Sequence, residues 1–275
     1  MERFFNQAGS YTIEMAISVA ASTLFCLHKL MEEAIPDLLF DETNCIEIID
    51  DGPHALNLPR VERLLELKSS YGLRYSVHAP FADMNIAAHD PYIREAVLKR
   101  LEASIKWSAG LEAEALVFHP GASTALDHFT HGMTWKLNLS SVNRLLSFAR
   151  NYNVPVMIEN VPEPYPFLMK SVEDFEMFYA EVAFDVKMVL DIAHASIRGE
   201  SRLFLDKFKE KIGHIHVSDN IGKFDEHLQL GKGLIDWKGT VESIKAAGFS
   251  GWIVVESFEG VNESIRLLKD LLKID

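Results

Sequence analysis

The chain has 275 residues, of which 48% are hydrophobic and 24% are charged, with 15 glycines, 10 prolines and 2 cysteines. This composition excludes a mostly disordered chain, a collagen-like repeat and a disulfide-stabilised scaffold. The formal net charge of −13 at pH 7 argues against a protein that binds polyanions through its overall charge.

The sequence predicts neither a membrane-spanning helix nor a secretion signal. The most apolar early stretch, Met15 to Leu27, is interrupted by Ser18 and Ser22 and is shorter than the ~20 residues that a membrane helix needs. Glu14 precedes this stretch, whereas a signal peptide has a basic region there. We therefore expect a cytoplasmic protein that does not associate with membranes.

Short apolar or β-branched runs recur along the chain, each 5 or 6 residues long, which is a typical strand length. Longer segments lie between them and carry apolar residues at helical spacing, as in Val61, Leu64 and Leu67 or in Ile265 and Leu268. In chain order, the eight predicted strands are Ile13–Ser18, Cys45–Ile49, Arg74–His78, Ala115–His119, Val154–Glu159, Val186–Asp191, Ile212–Val217 and Trp252–Glu256.

Strands that alternate with helices form βαβ units and a parallel sheet. Eight units in 275 residues match the size of a (β/α)8 TIM barrel, an α/β fold, and we expect residues 1–275 to form a single domain. The competing fold, an open doubly wound sheet, has a Gly-rich turn after its first strand, and no G-x-G-x-x-G motif occurs here.

Six successive predicted units carry a potential metal ligand at the end of the strand. These residues are 41, 40, 32, 25 and 40 positions apart, so each step is about one βα unit. In a (β/α)8 barrel the C-terminal ends of the strands share one rim, where the chemistry takes place. Carboxylates and imidazoles crowded on one rim are costly unless a cation neutralises them. The six residues are His78, His119, Glu159, Asp191, His216 and Glu256.

We therefore expect a divalent metal site at this rim. Carboxylate oxygens and imidazole nitrogens suit Zn²⁺ or Mn²⁺, with Mg²⁺ and Co²⁺ as alternatives. On the seventh strand His216 lies nearer the C-terminal end than His214 and is the better ligand. The long loop that follows holds Asp225 and His227, whose spacing allows them to clamp one metal ion beside the rim.

At these positions the sequence resembles the superfamily that joins xylose-isomerase-like sugar isomerases and epimerases with the type-2 AP endonucleases, the endonuclease IV family. The resemblance runs from about the second strand to the eighth. The matching segments are Val77-His78-Ala79-Pro80, His119-Pro120-Gly121, Ile158-Glu159-Asn160, Leu190-Asp191-Ile192-Ala193-His194-Ala195, His216-Val217-Ser218-Asp219-Asn220, Asp225-Glu226-His227 and Val255-Glu256-Ser257.

The resemblance implies two alternative metal arrangements. In the isomerases and epimerases, one ion is held by residues that correspond to Glu159, Asp191, His216 and Glu256. In the endonucleases, three zinc ions are held by nine residues, and all nine types are present here in order. They correspond to His78, His119, Glu159, Asp191, His194, His216, Asp225, His227 and Glu256.

Two departures from the endonuclease pattern favour the isomerases. The endonucleases begin with a small-residue strand and a Gly-rich turn that faces DNA, whereas the segment from Ile13 to Ser22 contains no glycine. The predicted second strand is followed by Asp50-Asp51-Gly52-Pro53-His54, an acidic loop at the barrel mouth that would repel a phosphate backbone.

The favoured function is a metal-dependent isomerase or epimerase of a small carbohydrate, with or without a phosphate group. The metal would polarise a carbonyl and stabilise an enediolate, and Glu159 and Glu256 would transfer the proton. His194 or Lys223 would bind a substrate hydroxyl. A homo-oligomer formed through an exposed helix is compatible with this fold.

The alternative function is an AP endonuclease or another phosphoesterase with two or three zinc ions, and only this alternative involves nucleic acid. In that case His78, His119, His194, Asp225 and His227 would all be ligands, and the metal cluster would generate hydroxide. A barrel that only binds a partner leaves the acidic and imidazole rim unexplained.

Overall fold

The computed structural model describes residues 17–274, which form a closed barrel of eight parallel strands in the order β1 to β8. The predicted (β/α)8 TIM barrel is therefore confirmed, and the described residues form a single barrel domain. The strands are β1 (Ser18–Ser22), β2 (Cys45–Ile49), β3 (Arg74–His78), β4 (Leu116–Phe118), β5 (Val156–Glu159), β6 (Lys187–Asp191), β7 (Ile212–Val217) and β8 (Trp252–Val255).

Helices cover the outside of the barrel, and the segments with helical spacing of apolar residues fall within them. Their buried faces pack on the strands, as Val61 and Leu64 do in α2 and Ile265 and Leu268 do in α9. The α-helices of the described chain are α1 (Met31–Ala34), α2 (Leu58–Tyr71), α3 (Pro91–Gly110), α4 (Met133–Ala149), α5 (Val172–Glu181), α6 (Ile192–Ile197), α7 (Ser201–Phe208), α8 (Trp237–Ala246) and α9 (Val261–Leu272).

The predicted position of the first strand was wrong. In the predicted run Ile13–Ser18, residues up to Ala16 lie outside the described residues, and Ile17 precedes the observed strand. Strand β1 has the sequence SVAAS and closes the barrel by pairing with both β2 and β8. Ala20 and Ala21 are fully buried, so small side chains occupy the middle of this strand.

Strand β1 is similar to the endonuclease pattern in its small residues, Ser18, Ala20, Ala21 and Ser22, but it contains no glycine, so that departure from the pattern remains.

Four other strands differ from their predicted bounds by one or two residues at an end, whereas β2, β3 and β7 have the predicted bounds. The predicted ligands His119 and Glu256 consequently lie just beyond β4 and β8, not inside them. Strand ends are defined by hydrogen bonding, which the apolar pattern does not report. No helix among residues 17–274 combines the length and the apolar character needed to cross a bilayer.

Candidate metal centre

Four predicted ligands converge at the C-terminal end of the barrel. Each contributes one potential ligand atom, and all of these atoms lie within 4.8 Å of one another. All four residues are buried, with exposed fractions between 0% and 5%. They are Glu159, Asp191, His216 and Glu256.

The ends of neighbouring parallel strands position these side chains. Glu159 and Asp191 are the last residues of β5 and β6, His216 lies near the end of β7, and Glu256 directly follows β8. The Nδ1 atom of His216 faces the group, 3.1 Å from Glu159 Oε1 and 3.4 Å from Glu256 Oε2. The Oδ1 atom of Asp191 caps helix α6 by accepting a hydrogen bond of 2.7 Å from the backbone N–H of His194.

The residues of this group fit a divalent cation. Three carboxylates and one imidazole meet in a buried place, and no described lysine or arginine pairs with any of them. The Oδ2 atom of Asp191 is buried and has no hydrogen-bond partner among the described residues. Three oxygen donors and one nitrogen donor form a set that Zn²⁺, Mn²⁺ and related ions accept.

The pKa values of these side chains depend on burial and on the charges of their neighbours. Burial raises the pKa of Asp191 to about 7. Burial acts on the pKa of Glu159 in the same direction, but the charge of His216 and hydrogen bonds from neighbouring histidines hold that pKa well below its usual value. Burial lowers the pKa of His216, but the charges of Glu256, Glu47 and Glu159 outweigh it and raise this pKa well above the ordinary value.

A second group adjoins the first through Glu159. The Nε2 atoms of His78 and His119 lie 3.2 Å and 3.1 Å from Glu159 Oε2. The Nδ1 atom of His78 is 2.8 Å from the carbonyl oxygen of Ala79 and donates to it, which leaves Nε2 free to face the carboxylate. Potential ligand atoms of His78, His119 and Glu159 also lie within 4.8 Å of one another.

A third group joins His194 of α6 with Asp225 and His227, which lie on the loop between β7 and α8. The Oδ2 atom of Asp225 is 3.1 Å from His194 Nε2 and 2.8 Å from His227 Nε2. Both rings donate Nδ1–H to a backbone carbonyl, that of Asn160 for His194 and that of Glu256 for His227, each at 2.8 Å. Although burial opposes it, the charge of His194 and the hydrogen bonds of both rings hold the pKa of Asp225 far below its usual value.

All nine residues singled out as ligands by the resemblance therefore lie in these three adjoining groups. Seven of them line a cavity of about 280 Å³, together with apolar and aromatic side chains. Lys223, the predicted hydroxyl-binding residue, is exposed and is not among the described residues that line this cavity. The apolar and aromatic part of the lining consists of Leu24, Ile49, Phe81, Pro162, Tyr165, Phe167 and Phe258.

Buried Asp219 holds the base of the loop that carries Asp225 and His227. Its Oδ2 atom accepts hydrogen bonds from the Trp237 indole at 2.9 Å and from the backbone of Gly231 at 2.8 Å. Gly233 packs so closely here that a Cβ atom would lie 2.2 Å from Asp219 Oδ1. This loop is therefore fixed by a buried carboxylate, which explains how it can present two potential ligands.

The structure corrects the interpretation of the acidic loop after β2. The buried carboxylate of Asp50 pairs with Arg100 at 2.7 Å and 2.9 Å. The Oδ2 atom of Asp51 accepts backbone hydrogen bonds from Phe81 at 3.0 Å and Ala82 at 2.8 Å. Arg100 therefore compensates the charge of Asp50, whereas Asp51 is held by backbone hydrogen bonds and keeps its negative charge, so the argument from an acidic loop rests on one carboxylate rather than two.

Glu47, a fully buried carboxylate in the middle of β2, was not among the residues predicted from the sequence. It lies 3.1 Å from His216 Nε2 and 3.2 Å from His214 Nε2, and Ser76 donates a hydrogen bond of 2.9 Å to it. A signal was present in the sequence, because Glu47 interrupts the otherwise apolar run of β2. A charged residue inside a buried strand needs a partner, so it indicates a polar barrel interior.

A parallel eight-stranded barrel with carboxylates and histidines clustered at the C-terminal ends of its strands is the architecture of a xylose isomerase-like enzyme family. The sequence pattern of the xylose isomerase-like TIM barrel family matches residues 42–271, and the chain belongs to this family.

Known proteins resemble this chain over most of its length. The crystal structure of a D-tagatose 3-epimerase-like protein has 28% sequence identity and a TM-score of 0.84, and the match covers 93% of this chain and 97% of that one. An uncharacterized protein of Methanocaldococcus jannaschii is 26% identical over 98% of this chain and 93% of its own length. A probable endonuclease 4 of Mycobacterium leprae is 23% identical over 82% of this chain and 89% of its own length.

Proposed function

We propose that this protein is a divalent-metal-dependent isomerase or epimerase of a small carbohydrate. The observation that carries the proposal is the meeting of Glu159, Asp191, His216 and Glu256 within 4.8 Å, with two of these carboxylates lining a cavity. A bound divalent cation would polarise a substrate carbonyl and stabilise the negative charge that develops next to it. All four residues would hold this cation.

The two glutamates are the groups that move the proton. Glu159 is the last residue of β5 and Glu256 directly follows β8, and strands β6 and β7 lie between these two strands in the barrel. Both side chains line the cavity. One carboxylate removes a proton from the carbon next to the carbonyl, and the other returns a proton to give the isomer or epimer. General acid and base catalysis of this kind typically contributes about 10²–10⁴-fold to the rate.

The cavity supports a small substrate of low charge. Its volume of about 280 Å³ is just below the range of about 300–1,000 Å³ that is usual for small-molecule sites. Aromatic side chains form part of the wall, and the described lining contains no lysine or arginine to pair with a phosphate group. We therefore propose a monosaccharide as the substrate, with the apolar wall excluding water from the reacting carbons.

The test combines metal analysis with proton exchange. We expect the purified protein to contain one tightly bound divalent ion, measured by inductively coupled plasma mass spectrometry. We expect it to exchange solvent deuterium into the carbon next to the carbonyl of a ketose, measured by NMR spectroscopy. A panel of free ketoses that shows neither exchange nor conversion would contradict the proposal.

A pair of variants separates the site from the rest of the protein. Glu256→Gln keeps the size of a cavity-lining side chain but removes its capacity to accept a proton, so exchange should fall by at least about 10²-fold. Glu259→Gln changes an exposed carboxylate three residues further along the chain and should leave exchange unchanged. Substantial exchange in Glu256→Gln would remove the glutamate mechanism.

A specific observation favours a second candidate function, a multi-zinc phosphoesterase of the endonuclease IV type. The groups around His78 and His119 and around Asp225 complete the nine-residue ligand set of that family. The test is cleavage of a duplex with one abasic site, together with zinc analysis. Three zinc ions per chain and efficient cleavage would establish this function instead of the first.

A further inference from the structure

The two ring nitrogens of His216 face different groups. Nδ1 faces the metal centre, 3.1 Å from Glu159 Oε1 and 3.4 Å from Glu256 Oε2. Nε2 faces the barrel interior, where Glu47 Oε1 is 3.1 Å away. A neutral imidazole carries its proton on one nitrogen only, so the group that receives this proton decides which nitrogen is available as a ligand.

Glu47 is held in place through its other oxygen. Ser76 Oγ donates a hydrogen bond of 2.9 Å to Oε2, and His214 Nε2 lies 3.2 Å from the same atom. Glu47 and its three neighbours are all buried, with exposed fractions between 0% and 3%; the neighbours are Ser76, His214 and His216. The carboxylate therefore joins strands β2, β3 and β7 beneath the metal centre.

Three buried atoms in this group, Glu47 Oε1, His214 Nε2 and His216 Nε2, have no well-aligned hydrogen bond to any described residue. A buried donor or acceptor without a partner destabilises the folded state, because it has lost its hydrogen bonds to water. The 3.1 Å and 3.2 Å separations within the group already suit hydrogen bonds, so only the angles of the N–H groups need to change. When both imidazoles carry a proton on Nε2, His216 can donate to Glu47 Oε1 and His214 can donate to Glu47 Oε2.

We infer that Glu47 is a positioning residue for the metal centre. It accepts the Nε2 proton of His216 and so presents Nδ1, unprotonated and correctly oriented, to the cation, while His214 and Ser76 fix the carboxylate. This inference rests on the proposed metal site. Partners of this kind fix the orientation of a ligating histidine, and their loss typically lowers metal affinity by about 10–100-fold.

The test measures metal binding rather than turnover. In Glu47→Gln, which keeps the size of the side chain, we expect the Kd for Zn²⁺ to rise about 10–100-fold in competition with a chromogenic chelator. The absorption bands of bound Co²⁺ should also shift, because the orientation of His216 changes. Ser76→Ala removes a donor whose hydrogen bond goes to Glu47 and not to His216, so it should raise the Kd less than Glu47→Gln does.

The outcomes distinguish this inference from the proposed function. A folded Glu47→Gln variant with wild-type Kd and Co²⁺ spectrum would overturn the positioning role and leave the metal site intact. Wild-type protein that binds neither Zn²⁺ nor Co²⁺ would overturn both. If Glu47→Gln does not fold, His214→Phe takes its place, since it removes one contact that fixes Glu47, and an unchanged Kd there would also contradict the inference.

Discussion

At the scale of single residues, Glu159 and Glu256 have different surroundings although they share a cavity. Glu159 lies within 3.2 Å of ring nitrogens of His78, His119 and His216. Glu256 has a single ring nitrogen of a described histidine near its carboxylate, with His216 Nδ1 at 3.4 Å from Oε2. The many contacts of Glu159 keep it ionised and in place, whereas Glu256 is held by fewer contacts, so Glu256 is the better candidate for the group that takes the first proton.

Asp225 separates the two candidate functions at the level of one side chain. Its contacts are with His194 and His227, and it is not part of the group formed by Glu159, Asp191, His216 and Glu256. We expect Asp225→Asn to keep sugar epimerisation within about tenfold of wild type, because His194 and His227 still line the cavity. In a three-zinc hydrolase the same variant should lose at least one zinc ion and most cleavage activity, which metal analysis and a duplex cleavage assay would report.

His54 supplies a pH-dependent prediction away from the metal centre. It is fully buried, neither ring nitrogen has a well-aligned hydrogen bond to any described residue, and burial lowers its pKa from 6.5 to about 4. Between these values the unfolded chain binds more protons than the folded chain, so this residue makes stability fall as pH drops below 6.5.

Replacing His54 with leucine removes this proton uptake. The free energy of unfolding of His54→Leu relative to wild type should therefore be higher at pH 5 than at pH 8, measured by urea denaturation. A difference between the two proteins that stays constant from pH 8 to pH 5 would show that His54 is not buried in its neutral form.

At the scale of elements, close backbone packing fixes the loop that carries His119. The N–H of Gly121 donates to Asn138 Oδ1 at 2.8 Å, and its carbonyl accepts from Leu168 at 2.9 Å. A Cβ atom at this position would lie 2.4 Å from Ala87 Cβ and 2.7 Å from the Ala87 backbone nitrogen. The glycine of the His119-Pro120-Gly121 segment therefore allows three loops to meet beside the cavity.

Gly121→Ala should consequently destabilise the protein by about 1–3 kcal/mol, because backbone must move to admit the methyl group. Activity should fall as well, since His119 is two residues away. The matched control is Gly110→Ala at the end of α3, where the nearest atom, Val61 Cγ1, is 3.7 Å from the new Cβ. Thermal unfolding should show no loss for Gly110→Ala, and equal losses in the two variants would contradict this account.

The sequence predicted the elements that have a strong apolar pattern and missed those that depend on packing. Strand β7 was predicted to the residue, because Ile212–Val217 is bounded by charged residues and by a polar loop. Strand β1 was misplaced because its alanines carry no strand signal, although both are fully buried in the barrel. Tertiary context overrides local preference in such cases.

The candidate site was predictable for a different reason. Six of its residues lie at or near the ends of predicted strands, and parallel strands of one barrel end on one rim. The other three, His194, Asp225 and His227, lie in the segments after the sixth and seventh predicted strands, and the family resemblance completed the set. The roles of Glu47, Asp50 and Arg100 were not predictable, because their pairing depends on which side chains meet across the fold. A list of charges in a sequence does not tell compensated charges from free ones.

At the scale of the whole molecule, the metal centre connects four consecutive strands, β5 to β8, at one end of a closed barrel. A ligand that binds only the folded state stabilises it by RT ln(1 + [L]/Kd), about 2.7 kcal/mol at 100 times the Kd. The thermal midpoint changes by about 2–4 °C for each kcal/mol in domains of about 150–250 residues.

Removal of the ion by a chelator should therefore lower the unfolding temperature by several degrees, and adding Zn²⁺ or Mn²⁺ should restore it. Differential scanning calorimetry would measure both changes. Identical unfolding temperatures with and without chelator, in protein shown to release its metal, would indicate that the ion does not link these strands.

The position of Glu159 in two groups has a consequence for the proposed metal-dependent reaction. Its Oε1 atom faces His216, and its Oε2 atom faces His78 and His119. An extra zinc ion bound by His78 and His119 would therefore also bind the carboxylate that is needed for proton transfer. For a sugar epimerase built in this way, zinc beyond the first equivalent should act as an inhibitor rather than an activator.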